Sequence, residues 1–108
     1  MIFIAVRFTI RPEYRDQWLD RVADFTDATR DEPGNLFFEW SVDIADLNRF
    51  VLLEAFASQD AGVEHVNSDH FKTAMAWMPD VVAKMPDIIN VETKGQGWSR
   101  MAEVTPRK

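Results

Sequence analysis

The chain has no cysteine, and that single absence removes disulfides, thiolate zinc sites, iron–sulfur clusters and thiol nucleophiles from consideration. Basic residues are scarce as well: twelve Lys and Arg stand against eighteen Asp and Glu, for a formal net charge of −6. Phosphate backbones and anionic membrane surfaces are held by clustered Lys and Arg, so neither nucleic acid nor a membrane is an expected partner. Four glycines and five prolines leave no room for a low-complexity linker. There is no GxGxxG, no phosphate loop and no serine in a nucleophile-elbow context, so nicotinamide-enzyme, kinase and hydrolase readings lack their motifs. Long apolar runs are missing too. "MIFIAVRFTI" has no basic lead and reaches Arg7 after six apolar positions, which is short for a signal-peptide core or a bilayer span. The cytoplasm is the default compartment that remains.

What is present is ordinary globular composition. Hydrophobic residues make up 46% of the 108 and charged residues 28%, enough for one packed core and too little chain for two. In "IFIAVRFTI" the residues Ile2, Ile4, Val6, Phe8 and Ile10 share one face, the period-2 pattern of a strand. From Glu13 to about Arg30, the residues Tyr14, Trp18, Val22, Phe25 and Thr29 recur at three- and four-residue spacing and form a helical stripe. Asp16, Asp20, Asp24 and Asp27 fall off that stripe and are expected in solvent. "DEPGN" ends the helix, because Pro33 disfavours helical geometry at Glu32 and Gly34 supplies a turn. "NLFFEWSVD" and "RFVLLEAFA" then alternate as an antiparallel pair around the polar loop "IADLN".

Ser58 is placed to cap a short helix through Val66, and Ser68 or Asp69 to cap another carrying Phe71, Met75 and Met78. Pro79 kinks or restarts that helix, and Pro86 ends it before the strand "DIINVET". The order strand, helix, strand, strand, helix, strand predicts an α+β fold, the ferredoxin-like βαββαβ arrangement with an antiparallel sheet and helices on one face. The third strand presents Phe50, Leu52 and Phe56 on one side and Val51, Leu53 and Ala55 on the other. Helices cover only one face, so the second apolar face predicts a homodimer joined sheet to sheet. The domain is expected to occupy residues 1–94, with 95–108 as a tail that contacts the partner subunit or stays loose.

Candidate chemistry gathers in "HVNSDHF", which holds both histidines, His65 and His70. Five residues apart, they do not share a helix face as metal-binding HExxH pairs do, and no third ligand lies at a diagnostic spacing, so no metal is assigned. One imidazole facing an apolar pocket would serve as a proton acceptor or donor near neutral pH. Against that stands the plainer reading of each as a helix-end cap or a partly buried polar group. Glu54 lies in a strand that otherwise reads as buried, where it must be paired or neutral; Arg7 and Arg49 on neighbouring strands are the partners an ion pair would use. The aromatics Phe37, Phe38, Trp40, Phe50, Phe56, Phe71 and Trp77 would either pack a core or line a pocket for a flat ligand.

Taken together, "DEPGNLFFEW", "FVLLEAFAS" and "HVNSDHFK" resemble the antibiotic biosynthesis monooxygenase family of small dimeric α/β barrels, which includes quinol monooxygenases and the autoinducer-2 phosphate isomerase. Residues from about 2 to 93 follow the family order. The resemblance implies a cofactor-free enzyme in which a deprotonated phenol or quinol itself activates molecular oxygen, within a pocket between sheet and helices. It matches His65 and His70 to the two motif histidines, Phe71 to the aromatic after them and Glu54 to the strand glutamate. His65 or His70 would take the phenolic proton, with Glu54 holding the geometry and Trp40, Phe56 and Phe71 enclosing the ring.

The chain also departs from that pattern. Phe56 stands where many members carry Trp, and the first strand lacks the Asn that several oxygenases of the family use, so heme cleavage is not expected. His65, His70 and Lys72 match the spacing of the isomerase branch. This keeps open a cofactor-free isomerase of a small carbonyl compound, with Lys72 on an enolate or phosphate. A dimer that binds a hydrophobic ligand without turnover is the third possibility.

Overall fold

A computed structural model describes residues 1–108 and gives a four-stranded antiparallel sheet in the order β2-β3-β1-β4. The strands are β1 (Ile2–Thr9), β2 (Asn35–Asp43), β3 (Asp46–Phe56) and β4 (Asp87–Glu92). The helices are α1 (Trp18–Arg21), α2 (Ala23–Arg30), α3 (Gln59–Val66) and α4 (Asp69–Trp77). This is the expected ferredoxin-like α+β architecture, with the first and third strands central.

The alternation read from β1 holds. Val6, Phe8 and Ile10 are buried under the helices, and Val6 and Phe8 pair in register with Leu52 and Phe50 of β3. The helical stripe holds as well: Trp18, Val22, Phe25 and Thr29 are buried and the four aspartates are exposed. The single helix expected from Glu13 is instead a 3₁₀ stretch over Pro12–Gln17 followed by α1 and α2. The two helices meet at Val22, where the backbone opens to φ −91°, ψ 1°. The β2–β3 connection is also tighter than the loop "IADLN" suggests, since β3 starts at Asp46 and only Ile44 and Ala45 lie between the strands.

Both serine caps form. Ser58 Oγ accepts from the Ala61 amide and Ser68 Oγ from the Phe71 amide, each at 3.2 Å. Ser68 also binds back to the end of α3, its hydroxyl donating to the His65 carbonyl at 2.6 Å. The stretch between α3 and α4 is therefore a joint with fixed geometry. Pro79 restarts the chain as a 3₁₀ turn over Met78–Asp80 before β4.

A close approach sets the other side of the site. Gly34, at the start of β2, accepts from the Ala57 amide at 2.8 Å, and a side chain there would collide with Cβ of Ala61 on α3. The second face of the sheet carries Phe3, Leu53, Ile89 and Val91, with no helix over it, and the tail's Trp98 lies across it against Phe37 at 5.5 Å. No helix is long and apolar enough to cross a membrane.

Candidate active site

Glu54 faces inward because its register partners, Ile4 on β1 and Phe38 on β2, belong to the helix-covered face. Arg7 and Arg49 lie on the opposite face, where they pair with Asp87 and Asp43. The arginine ion pair that the sequence allows for Glu54 therefore does not form, since neighbouring positions along a strand point to opposite sides. Within ion-pair range Glu54 meets only His65, whose Nε2 is 3.7 Å from Oε1. Burial first, and the charge of Glu32 second, push the Glu54 carboxyl up to about 8. At neutral pH it is a neutral acid with a proton to donate.

His65 sits in the last turn of α3 and is almost fully buried. Its ring packs 4.8 Å from Phe56, 5.2 Å from Phe71 and 5.8 Å from Phe25. Burial lowers its pKa, and this outweighs the hydrogen bond to Glu32 that acts in the opposite sense. The neutral ring is thus favoured.

The residue that organises the pair is Glu32. Its Oε2 lies 2.8 Å from His65 Nδ1 and 2.6 Å from His70 Nε2, so one carboxylate oxygen accepts from both rings. With the proton on Nδ1, the lone pair of His65 Nε2 is left facing Glu54. Glu32 is held in turn by the end of α2. Its amide donates to the Thr29 carbonyl at 3.0 Å, and the Arg30 guanidinium grips the Phe38 carbonyl at 2.9 and 2.7 Å. In the sequence "DEPGN" stands out as a helix stop and as part of a family motif, neither of which gives Glu32 a chemical role. The available signal was an acidic residue inside the motif that ends at Gly34. Glu32, His65 and His70 also offer one ligand atom each within 4.8 Å of one another.

Glu54 and His65 open onto a cavity of about 710 Å³, inside the range for small-molecule sites. Its walls are apolar: Ile4, Val6 and Leu52 from the sheet, Phe71 and Met75 from α4, and Ile88 from β4. Asn90 and Lys84 add polar groups on the β4 side.

The expected site residues divide between this cavity and elsewhere. Glu54, His65 and Phe71 line it. His70 stands behind His65, joined to it through Glu32. Phe56 is fully buried and backs the His65 ring rather than enclosing a ligand. Trp40 packs against the core between Phe8 and Phe38, its Nε1 donating to Thr26 Oγ1 at 2.9 Å, and it borders a different, smaller hollow with Arg15 and Leu19. Lys72 is exposed on α4 and does not line the cavity. Trp40 fails as a ring-enclosing residue because β2 is the far edge of the sheet, whereas the cavity opens beneath β1 and β4.

An apolar cavity with a buried carboxyl group and an oriented imidazole at one end has the make-up of a candidate small-molecule site. Residues 1–77 match the model of the family described as antibiotic biosynthesis monooxygenase, and the chain belongs to that family. Among curated relatives it is similar to YcnE of Bacillus subtilis, named as a candidate monooxygenase, at 24% identity over 85% of this chain and 97% of that protein. The solved structure of Rv0793 from Mycobacterium tuberculosis superposes with a TM-score of 0.81 at 20% identity, covering 90% of this chain and 98% of the other. A family protein from Nitrosomonas europaea gives 0.80 at 20% identity, over 86% and 98%.

Proposed function

We propose that the protein is a cofactor-independent monooxygenase that oxidises an electron-rich phenol or quinol with molecular oxygen. The observation that carries this reading is the His65 Nε2 lone pair, facing an apolar cavity opposite Glu54 and fixed from behind by Glu32. The 3.7 Å separation is too long for a direct hydrogen bond, and a substrate hydroxyl seated on the cavity side of the pair, at the apex of a triangle, is within hydrogen-bond reach of both groups. That hydroxyl donates to His65 Nε2 and accepts from protonated Glu54. Transfer of its proton gives an imidazolium, whose Nδ1–H the Glu32 carboxylate stabilises, and a phenolate held by the Glu54 proton.

The phenolate is the electron-rich species that reduces oxygen. At a ring carbon ortho or para to the phenol that bears one hydrogen, one oxygen atom ends as a quinone carbonyl and the other leaves as water with that hydrogen and the phenolic proton returned by His65. No external reductant enters that sum. The isomerase alternative draws less support, because Lys72 is exposed and away from the cavity.

The test is oxygen uptake by metal-stripped protein with a panel of quinols and polycyclic phenols. Enzyme-dependent uptake that His65→Ala abolishes supports the reading; turnover that persists without oxygen transfers it to an isomerase, and binding without turnover to a ligand carrier. The same reading includes a homodimer through the open sheet face, where Phe3, Leu53 and Val91 have no helical cover. A charge at Leu53 (Leu53→Lys) is expected to yield monomers in sedimentation.

A further inference from the structure

The three side chains that orient the base also form a set of metal donors. Glu32, His65 and His70 come from two distant chain segments, 33 residues apart at the nearest pair. Zinc-type donors sit about 2.0–2.1 Å from their ion, which places them roughly 3.4 Å from one another in a tetrahedral site. Both N···O separations here, 2.8 and 2.6 Å, need to open by less than about 1 Å to reach that spacing, and the N···N separation, which is within 4.8 Å, needs to close by at most about 1.4 Å. Glu32 has no Lys or Arg within ion-pair distance, only the two imidazoles, so its charge lacks a fixed counter-ion. The His70 side chain is 23% exposed against 5% for His65. The His70 side is thus the solvent-facing approach to the cluster, from which an ion would enter and a water would complete its coordination. Glu54 and the cavity lie on the opposite edge of the His65 ring, at Nε2.

We propose that Glu32, His65 and His70 form a binding site for a late first-row divalent ion of the Zn²⁺ class, and that its occupation switches off the base by reversing the His65 tautomer. Coordination at Nδ1 uses the lone pair there, so the ring's proton must reside on Nε2. At each ring one proton leaves the coordinating nitrogen, Nδ1 of His65 and Nε2 of His70, and one is taken up at the other ring nitrogen, with no net change. His65 Nε2 then donates towards Glu54 and cannot accept a proton from substrate. The binding half of the proposal stands on the donor geometry alone, whereas the switching half rests on the base role proposed above for His65.

Tag-free protein stripped with EDTA is titrated with ZnCl₂ by calorimetry and with CoCl₂ by visible absorption. One ion per chain is expected, with affinity reduced at least about tenfold in His70→Ala and in Glu32→Gln. Thermal melts check that both variants remain folded, and a variant that does not fold is replaced by His70→Gln. In the wild-type protein, the imidazole ¹⁵N resonances of His65 are expected to exchange their protonated position on loading, and oxygen uptake to fall in proportion to occupancy and return with EDTA. The absence of a one-to-one site, or equal affinity in the folded variants, overturns the metal site. Stoichiometric binding with an unchanged His65 tautomer overturns the switch. Tautomer reversal with turnover untouched leaves the site standing and refutes His65 Nε2 as the base.

Discussion

Replacing Glu54 with Gln gives a sharp test of its buried, uncompensated carboxyl group. The ordinary value of 4.5 rises to about 8 in the folded protein. At about 1.4 kcal/mol per pH unit, that difference is worth up to about 5 kcal/mol of stability. Below pH 4.5 the group is protonated in both folded and unfolded chains, and its favourable contribution is complete. As pH rises above 4.5 the unfolded chain releases the proton while the folded chain keeps it, so stability falls until the folded group ionises near pH 8. Glu54→Gln cannot ionise and escapes that loss. Urea denaturation of both proteins in EDTA, at pH 5 and at pH 9, isolates the effect because the titrating groups not coupled to Glu54 cancel in the difference, leaving Glu54 with its neighbours Glu32 and His65. Between those two values the Gln variant is expected to gain on the wild type by at least about 2 kcal/mol once solvent entering through the cavity mouth is allowed for, with about 4 kcal/mol as the ceiling, because about 1 kcal/mol is already lost at pH 5. A difference independent of pH would refute the reasoning, since it would mean that Glu54 ionises as a surface carboxyl does.

Glu32→Gln removes the charge behind His65 while keeping the side-chain shape, and kcat for quinol oxidation is expected to fall by roughly 10² to 10⁴ with a smaller change in KM; steady-state kinetics on a folded variant decides it. Trp40→Phe removes the 2.9 Å bond to Thr26 Oγ1, and chemical denaturation should show a loss of about 1 kcal/mol with turnover retained. Gly34→Ala drives a methyl group into Ala61 and should cost upwards of about 1 kcal/mol in the same measurement, together with activity, because the start of β2 and Glu32 must move away from α3.

The fold was legible because its signals are local. Period-2 alternation in β1 and β3, the stripe through Trp18 and Phe25, and the caps at Ser58 and Ser68 each depend on a few neighbouring residues, and each survives into the structure. His65 and Glu54 could be singled out because a polar residue among apolar ones is conspicuous. Glu32 could not, because an acid beside a proline at a helix end is also what a solvated turn looks like. Its role exists only once the chain has folded back over the 33 residues to His65. Trp40 shows the complementary limit. Alternation told which face of the sheet it occupies, but not that this part of the face lies under Trp18 and α2 while the cavity lies under α4 and β4. Lys72 was placed by spacing alone, and the turn of α4 carries it to the outside.

The single oxygen of Glu32 shared by two imidazoles also bears on how this protein becomes active. The bonds span 33 and 38 residues, and they need the end of α2, the α3–α4 joint and, for Glu54 to face them, the completed β2–β3–β1 pairing. Such contacts repay the loss of chain freedom only after the shorter-range pieces have formed. A refolding chain is therefore expected to recover far-ultraviolet helical signal before the shielded His65 ring resonances of the native state, and no fragment that begins after residue 32 or stops before residue 70 can contain the relay.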